Sequence, residues 1–183
     1  ELKTKKILIL GMGREGLATA RFLQENKLGR AITLADRRGI EEFKVEEKEY
    51  LNQLKGLGLQ LQLGENYLSE LHQYQVIIKS PGIAVKKFPQ IDEAVQAGII
   101  LTSATNIFFD NVKGHVIAVT GSKGKSTTSS LIYELLKRAK FAVDLVGNIG
   151  RPALDFLLAD LKMSELEQAN KYYVFEISSY QLE

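Results

Sequence analysis

Residues 115–128 contain a short apolar run, a turn with two glycines and the first residues of a helical pattern. The apolar run ends at Val119 and reads as a buried strand, and Lys125 begins the helical pattern. Between them, Gly121 and Gly124 allow a tight turn in which successive backbone N–H groups converge on one point. This order of strand, glycine turn and helix predicts an α/β fold with a phosphate-binding loop.

The residue types in this loop suit a nucleoside triphosphate. Lys125 adds a full positive charge to the partial charge of the helix N-terminus, and the Ser126 hydroxyl is a ligand for Mg²⁺. Val119 stands where the usual longer loop has its first glycine, so the motif is the shorter Gly-x-x-Gly-Lys-Ser-Thr form. The alternative is a polar surface turn. We predict that ATP and Mg²⁺ bind here and that Lys125 is catalytic. The predicted ATP-binding residues are Gly121, Ser122, Lys123, Gly124, Lys125, Ser126 and Thr127.

Strand and helix patterns alternate along the whole chain, which predicts parallel sheets with right-handed crossovers. The fold class expected is α/β, with a Rossmann-like domain over residues 1–103. A partial P-loop NTPase-like domain is expected over residues 112–183, where the pattern stops before a full sheet is complete. The predicted strands are Lys6–Leu10, Ala31–Ala35, Leu59–Leu63, Val76–Ile78, Ile99–Leu101, Val116–Val119, Ala142–Val146 and Tyr172–Ile177.

A second glycine turn, from Gly11 to Gly16, follows the first predicted strand and has the spacing Gly-x-Gly-x-x-Gly. Asp36 ends the next strand, twenty residues after Gly16. This pattern is typical of a dinucleotide site, and taken alone it favours NAD. The same geometry suits any nucleotide diphosphate, and Arg37 and Arg38 are placed to pair with phosphate or stack on a base. A structural turn without a ligand is the remaining alternative.

Two polar residues follow later strands at the same predicted sheet edge as the phosphate loop. Glu176 ends an apolar strand, the position where a carboxylate contacts Mg²⁺ beside a phosphate loop, so we predict a catalytic, metal-binding role for it. Asn148 lies in the turn Gly147–Gly150. An edge carboxylate in solvent and a plain turn are the alternatives.

Composition limits the classes of partner. The net charge of +2 is too small to indicate a nucleic-acid or membrane surface, and no apolar run approaches the length of a membrane span. The chain contains no cysteine, which excludes disulfides and thiolate metal sites and fits a cytoplasmic protein. We expect a monomer that binds small molecules, with no nucleic acid and no membrane.

Six motifs follow one another along the chain. They are Gly11-Met-Gly-Arg-Glu-Gly16, Ala35-Asp-Arg37, Ser80-Pro-Gly-Ile-Ala84, Thr120-Gly-Ser-Lys-Gly-Lys-Ser-Thr127, Gly147-Asn-Ile-Gly150 with Pro152-Ala-Leu154, and Glu176-Ile-Ser-Ser-Tyr-Gln-Leu-Glu183. In this order they resemble the Mur ligases, in particular those that add D-glutamate to UDP-N-acetylmuramoyl-L-alanine, and the resemblance covers essentially the whole chain. Three departures are Lys123 for the usual Asn, Asn106 for an acidic residue, and the bulky pair Arg14-Glu15 in the first turn.

The resemblance implies that the first domain binds the UDP of a nucleotide sugar, not NAD. It also implies that Lys125 binds ATP phosphates and that Ser126 and Glu176 bind Mg²⁺. The substrate residues it implies are Arg14, Glu15, Asp36, Arg37, Arg38, Gly82 and Asn148.

The implied activity is ATP-dependent amide-bond formation in peptidoglycan precursor synthesis, through an acyl phosphate. The family's later residues lie beyond Glu183, so we expect binding without turnover from this chain alone. The alternatives are a non-catalytic nucleotide-sugar binding module, a Mur ligase for another amino acid, and an NAD-dependent Rossmann protein.

Overall fold

The computed structural model describes residues 2–181, so the last two residues of the motif that begins at Glu176 lie outside the described part. By internal contacts the chain divides into two compact units, and the division falls between Ala104 and Thr105. Each unit contains a sheet in which every strand pair is parallel. The predicted mixed α/β fold with parallel sheets is therefore confirmed. No helix within residues 2–181 is long and apolar enough to span a bilayer.

The first unit is a five-stranded sheet with the spatial order β3-β2-β1-β4-β5. The first strand is central, and the chain adds β2 and β3 on one side of it and then β4 and β5 on the other. This is the arrangement of a doubly wound fold. The strands are β1 (Lys6–Leu10), β2 (Ala31–Asp36), β3 (Gln60–Leu63), β4 (Val76–Lys79) and β5 (Ile100–Ser103). The helices between them are α1 (Arg14–Glu25), α2 (Val45–Gly56) and α3 (Pro89–Gln96).

Strand β1 is the centre of the core. Its residues Ile7–Leu10 are buried, with exposures of 0–1%. A central parallel strand is covered on both faces, which explains why this run is continuously apolar and does not alternate. Full burial of each such side chain contributes about 1.5–3 kcal/mol relative to exposure. The end of β1, where the glycine turn begins, is therefore held firmly.

The charged segment between β2 and β3 forms two separate helical pieces in the structure. Residues Ile40–Glu42 form a single 3₁₀ turn, and α2 begins only at Val45. The Glu47 carboxylate accepts a hydrogen bond from the Lys44 backbone N–H at 2.9 Å, which fixes the start of α2.

The second unit is a three-stranded sheet with the order β6-β8-β7. Its strands are β6 (His115–Val119), β7 (Val143–Gly147) and β8 (Tyr172–Glu176). Its helices are α4 (Ala104–Asn111), α5 (Lys125–Arg138), α6 (Ala153–Asp160) and α7 (Glu165–Ala169). Helix α5 connects β6 to β7 and begins directly at the end of the phosphate loop.

Helix α4 fills the segment between the two predicted domains and was not predicted. It is held by aromatic packing, since the Phe108 ring lies edge-on to Tyr173 and Phe175 at 5.3 and 5.4 Å between centroids. Phe109 stacks on Phe175 at 5.5 Å. These partners lie in β8, far along the chain, so no local pattern indicated them.

A buried ion network supports the start of β8. The Lys171 ammonium lies 2.5 Å from both Asp144 and Asp160, and the Tyr173 hydroxyl donates to Asp160. Burial opposes a charged Lys171, but the bonds to the two carboxylates outweigh it and raise the pKa of the lysine. Removing one partner of a buried ion pair costs about 3–5 kcal/mol. This network therefore fixes β8 at the end opposite Glu176.

We predict that Gly16→Ala destabilises the first unit and that Gly13→Ala does so far less. A Cβ on Gly16 would lie 1.9 Å from the Gly11 carbonyl oxygen, whereas a Cβ on Gly13 meets nothing within 4 Å. Overpacking of this kind costs about 1–3 kcal/mol, and we expect Gly16→Ala to fall at the upper end. Gly13 precedes α1, and Ala at such a position costs about 1 kcal/mol or less. Urea unfolding followed by circular dichroism measures both variants, and equal midpoints would contradict the prediction.

Candidate nucleotide-binding sites

The turn after β1 brings backbone groups close together at the edge of the first sheet. Gly11 has φ of +92°, and its N–H donates to the Ala35 carbonyl at 2.8 Å. The Ser80 hydroxyl donates to the Gly11 carbonyl at 3.2 Å. The ends of β1, β2 and β4 are thus tied to one another, and α1 starts beside them.

Asp36 is used to hold this turn. One carboxylate oxygen accepts the Met12 backbone N–H at 2.8 Å, and the other accepts the Arg38 backbone N–H at 2.9 Å. The Arg38 side chain donates to both oxygens, at 3.1 and 3.2 Å. Burial opposes ionisation of Asp36, yet the hydrogen bonds from Arg38 and Met12 outweigh it and hold the pKa of the carboxyl below its ordinary value.

Arg38 is likewise engaged within the protein. Besides Asp36, its guanidinium lies 4.1 Å from the centre of the Phe43 ring and 3.9 Å from the Glu47 carboxylate. Such a stacked, doubly paired arginine orders the segment after β2. The predicted contact of Arg38 with a nucleotide stays a prediction. In this structure its side chain bonds to Asp36 and so stabilises the glycine turn.

A cavity of about 450 Å³ opens at this sheet edge. Four residues of the predicted turn and strand ends line it, namely Gly11, Asp36, Arg37 and Gly82, whereas Arg14, Glu15 and Arg38 do not. Its other lining residues are Glu65, Tyr67, Ile83, Ala84, Lys87 and Phe88. Ile83 and Ala84 belong to the motif Ser80-Pro-Gly-Ile-Ala84. Sequence reasoning missed the other four because they come from segments after β3 and β4 that lie outside the recognised motifs.

Aromatic rings form one wall of the cavity. Tyr67 and Phe88 pack edge to face with 6.4 Å between ring centroids. Burial is the main cause that raises the pKa of the Tyr67 hydroxyl, and the charges of Arg37 and Asp36 act on it with opposite signs. The cavity therefore combines apolar aromatic surface with charged groups, as a nucleotide pocket does.

A second cavity, of about 530 Å³, lies between α3 and the loop around residues 65–72. None of the predicted site residues lines it. Its larger volume does not make it the candidate ligand site, because Gly11 of the glycine turn, Asp36, Arg37 and Lys87 all line the smaller cavity.

The phosphate loop of the second unit is open. Residues 120–124 are exposed, and within residues 2–181 no backbone N–H from Gly121 to Thr127 donates to an acceptor. Gly124 has φ of +76° and leads directly into α5. A run of N–H groups without internal acceptors, at the start of a fourteen-residue helix, is suited to bind an anion.

The Lys125 ammonium lies over this loop, since it donates to the Gly121 carbonyl at 2.7 Å. The Ser129 hydroxyl donates to the Lys125 carbonyl at 2.8 Å within the first turn of α5. The positive charge of Lys125 thus lies next to the N–H groups of the loop. A phosphate oxygen would replace the Gly121 carbonyl as its hydrogen-bond partner.

Glu176 is a fully buried carboxylate at the same edge. Strand pairing sets it opposite Val119 on one side and Gly147 on the other. Its Oε1 accepts the Asn148 side-chain amide at 2.8 Å, whereas its Oε2 has no hydrogen-bond partner among residues 2–181. The structure thus places the Asn148 amide on Glu176, and the predicted contact of Asn148 with the UDP-sugar end stays a prediction.

These residues fit a magnesium ion that a nucleotide helps to hold. A buried oxygen without a partner costs about 1–3 kcal/mol, more for a charged group, and a cation removes that cost. Within residues 2–181 no three His, Asp or Glu side chains converge as a complete metal site. Mg²⁺ commonly takes one or two carboxylates together with substrate phosphates, so the chemistry of Glu176 and Ser126 fits the predicted metal role.

Comparison with known proteins agrees with this two-part geometry. The family model for the N-terminal domain of MurD-like Mur ligases matches residues 5–103, and that for the Mur ligase middle domain matches residues 119–183. The chain belongs to the Mur ligase family. The family inferred from the sequence motifs is confirmed.

Two relatives share the name UDP-N-acetylmuramoylalanine–D-glutamate ligase. The one from Acetivibrio thermocellus is 36% identical over 100% of this chain and 36% of its own length. The one from Exiguobacterium sibiricum is 34% identical over 100% of this chain and 37% of its own length. This Mur ligase chain thus spans little more than a third of these relatives.

A solved structure has a similar fold. The UDP-N-acetylmuramate:L-alanyl-gamma-D-glutamyl-meso-diaminopimelate ligase from Neisseria meningitides is 19% identical, with a TM-score of 0.53. The match covers 94% of this chain and 52% of that one. At this identity the likeness concerns the fold alone.

We predict that Asp36 stabilises the first unit in a pH-dependent way. Its pKa is below the ordinary value of 3.8, so the stabilisation is complete above that pH and is lost as the pH falls through the folded-state pKa. The wild type should therefore exceed Asp36→Asn in urea midpoint most at pH 5, and the difference should shrink below pH 3.8. Other carboxylates titrate in both proteins and cancel. A difference that is constant with pH would contradict the prediction.

Proposed function

We propose that this chain supplies the nucleotide-sugar unit and part of the ATP unit of a ligase that joins D-glutamate to UDP-N-acetylmuramoyl-L-alanine. The assignment to D-glutamate rests on the names of the relatives, since no residue of this chain is assigned to the amino acid. The functional domains proposed are residues 1–103 and 112–183. Because the reaction uses ATP and a nucleotide sugar, we place it in the cytoplasm.

The observation that carries the proposal is the open run of N–H groups from Gly121 to Thr127 at the sheet edge where Glu176 lies. A phosphate loop whose amides were used inside the protein would bind no triphosphate. Here the amides lack acceptors among residues 2–181, and Lys125 lies above the loop. This is the arrangement that neutralises a triphosphate.

The proposed reaction begins with in-line attack of the substrate carboxylate on the γ-phosphorus of ATP, which forms an acyl phosphate as ADP leaves. The loop amides and Lys125 hold the phosphate oxygens and stabilise the charge that develops on them. Mg²⁺, held by Glu176 and Ser126, supplies further neutralisation when bound. The amine of D-glutamate then attacks the acyl carbon, a proton leaves the nitrogen, and the tetrahedral intermediate expels phosphate to give the amide.

Asn148 has a positioning role in this scheme. Its amide occupies Oε1 of Glu176, which leaves Oε2 as the oxygen for the cation. The carboxylate needs such an anchor because it is otherwise surrounded by buried strand residues.

In the first unit, the 450 Å³ cavity is the proposed uridine diphosphate site. Tyr67 and Phe88 provide an apolar aromatic wall, and Arg37 and Gly82 lie at the sheet edge beside it. A dinucleotide such as NAD remains the competing ligand, because the glycine turn suits either.

We predict that Lys125→Ala weakens Mg-ATP binding about tenfold or more, since a charged hydrogen bond contributes about 1.5–3 kcal/mol. Lys137→Ala, at the far end of α5, removes the same charge away from the loop and should change the affinity less than twofold. Calorimetric titration of both variants measures this. Equal Mg-ATP affinity for Lys125→Ala and the wild type would overturn the triphosphate site.

We predict that the chain binds uridine diphosphate and UDP-N-acetylmuramoyl-L-alanine and does not bind NAD. Calorimetric titration of the wild type with each ligand separates the alternatives. Binding of NAD without binding of uridine nucleotides would identify a dinucleotide protein. Binding of the nucleotide sugar without any binding of Mg-ATP would support a non-catalytic module.

A further inference from the structure

Two cations line the cavity of the first unit, and only one of them was part of a recognised motif. Arg37 follows β2 and belongs to the motif Ala35-Asp-Arg37, whereas Lys87 ends the 3₁₀ turn Val85–Lys87 after β4. Within residues 2–181 neither side chain takes part in an ion pair or a hydrogen bond. Their charges are therefore available to a ligand.

The sheet order brings these cations to the cavity from two sides. Strands β2 and β4 are the neighbours of β1, one on each side, and β1 ends at the Gly11 turn. Arg37 follows β2, Lys87 follows β4, and both line the cavity beside that turn. Gly11 itself also lines the cavity.

The remaining charges of the site favour a second cation. Arg38 is committed to Asp36 and Phe43, so its charge is largely compensated by the protein. Glu65 also lines the cavity and carries a negative charge. A diphosphate brings at least two further negative charges, and Arg37 alone does not balance them.

We propose that Lys87 is a diphosphate-binding residue of this cavity and acts together with Arg37. The proposal rests on the proposed function, because it assigns part of the same uridine diphosphate site. An ammonium on a flexible stem is a point charge that can follow phosphate oxygens, and it suits a rim position in an exposed turn. The segment after β4 thereby contributes a positive charge that binds the diphosphate, while the turn after β1 forms the base of the cavity.

The test compares Lys87→Ala with Lys86→Ala. Lys86 is the preceding residue, is exposed and does not line the cavity, so its removal changes the net charge equally without removing a cavity cation. Each variant and the wild type are titrated calorimetrically with uridine diphosphate and with uridine. Thermal unfolding followed by circular dichroism checks that the three proteins are equally folded.

We expect Lys87→Ala to bind uridine diphosphate about tenfold or more weakly than the wild type, as for loss of one charged hydrogen bond. Its affinity for uridine should change less than twofold, and Lys86→Ala should match the wild type for both ligands. The wild-type affinity for uridine diphosphate should also fall more steeply with salt than that of Lys87→Ala.

Equal affinities of Lys87→Ala and Lys86→Ala for uridine diphosphate would overturn the role of Lys87, as would an equal loss for uridine. If the wild type binds neither uridine nor uridine diphosphate, the proposed function of the first unit fails, and the role of Lys87 fails with it. The two failures are distinguished by the wild-type titration alone.

Discussion

Parallel pairing of the strands is the constraint on which both sites depend. In the second sheet, Val119, Glu176 and Gly147 are register partners, so the three strands end at one level. The phosphate loop, the buried carboxylate and the Asn148 turn must then emerge side by side. In the first sheet, parallel pairing likewise brings the ends of β1, β2 and β4 to one edge. Ligands of open parallel sheets bind outside such carboxyl ends.

Two carboxylates at these edges differ in how far the protein satisfies them. Asp36 accepts bonds on both oxygens from Met12 and Arg38, so it is a structural anchor for the glycine turn. Glu176 is fully buried with one oxygen bound to Asn148 and the other without a partner among residues 2–181. The first carboxylate stabilises the fold, and the second keeps one oxygen for the proposed Mg²⁺. Sequence position at a strand end does not distinguish these roles.

Much of the fold could be predicted from the sequence, because buried parallel strands are continuous apolar runs followed by glycine turns. Strand Lys6–Leu10 agrees at both ends with its prediction. Helix α4 was missed because its stability comes from distant aromatic partners. Helix α7 was missed for its length of five residues, although Ser164 and Glu167 form a capping pair that the sequence displays. Lys87 and the Asn148–Glu176 bond depend on tertiary proximity, which no local spacing encodes.

The central claim is that the backbone from Gly121 to Thr127 binds a triphosphate, and amide chemical shifts test it residue by residue. In a two-dimensional ¹⁵N–¹H spectrum titrated with Mg-ATP, the amides of this loop should shift most. The amide of Ala139, which donates to the Leu135 carbonyl at the far end of α5, should shift less. A titration that shifts amides elsewhere and leaves the loop unchanged would contradict the account.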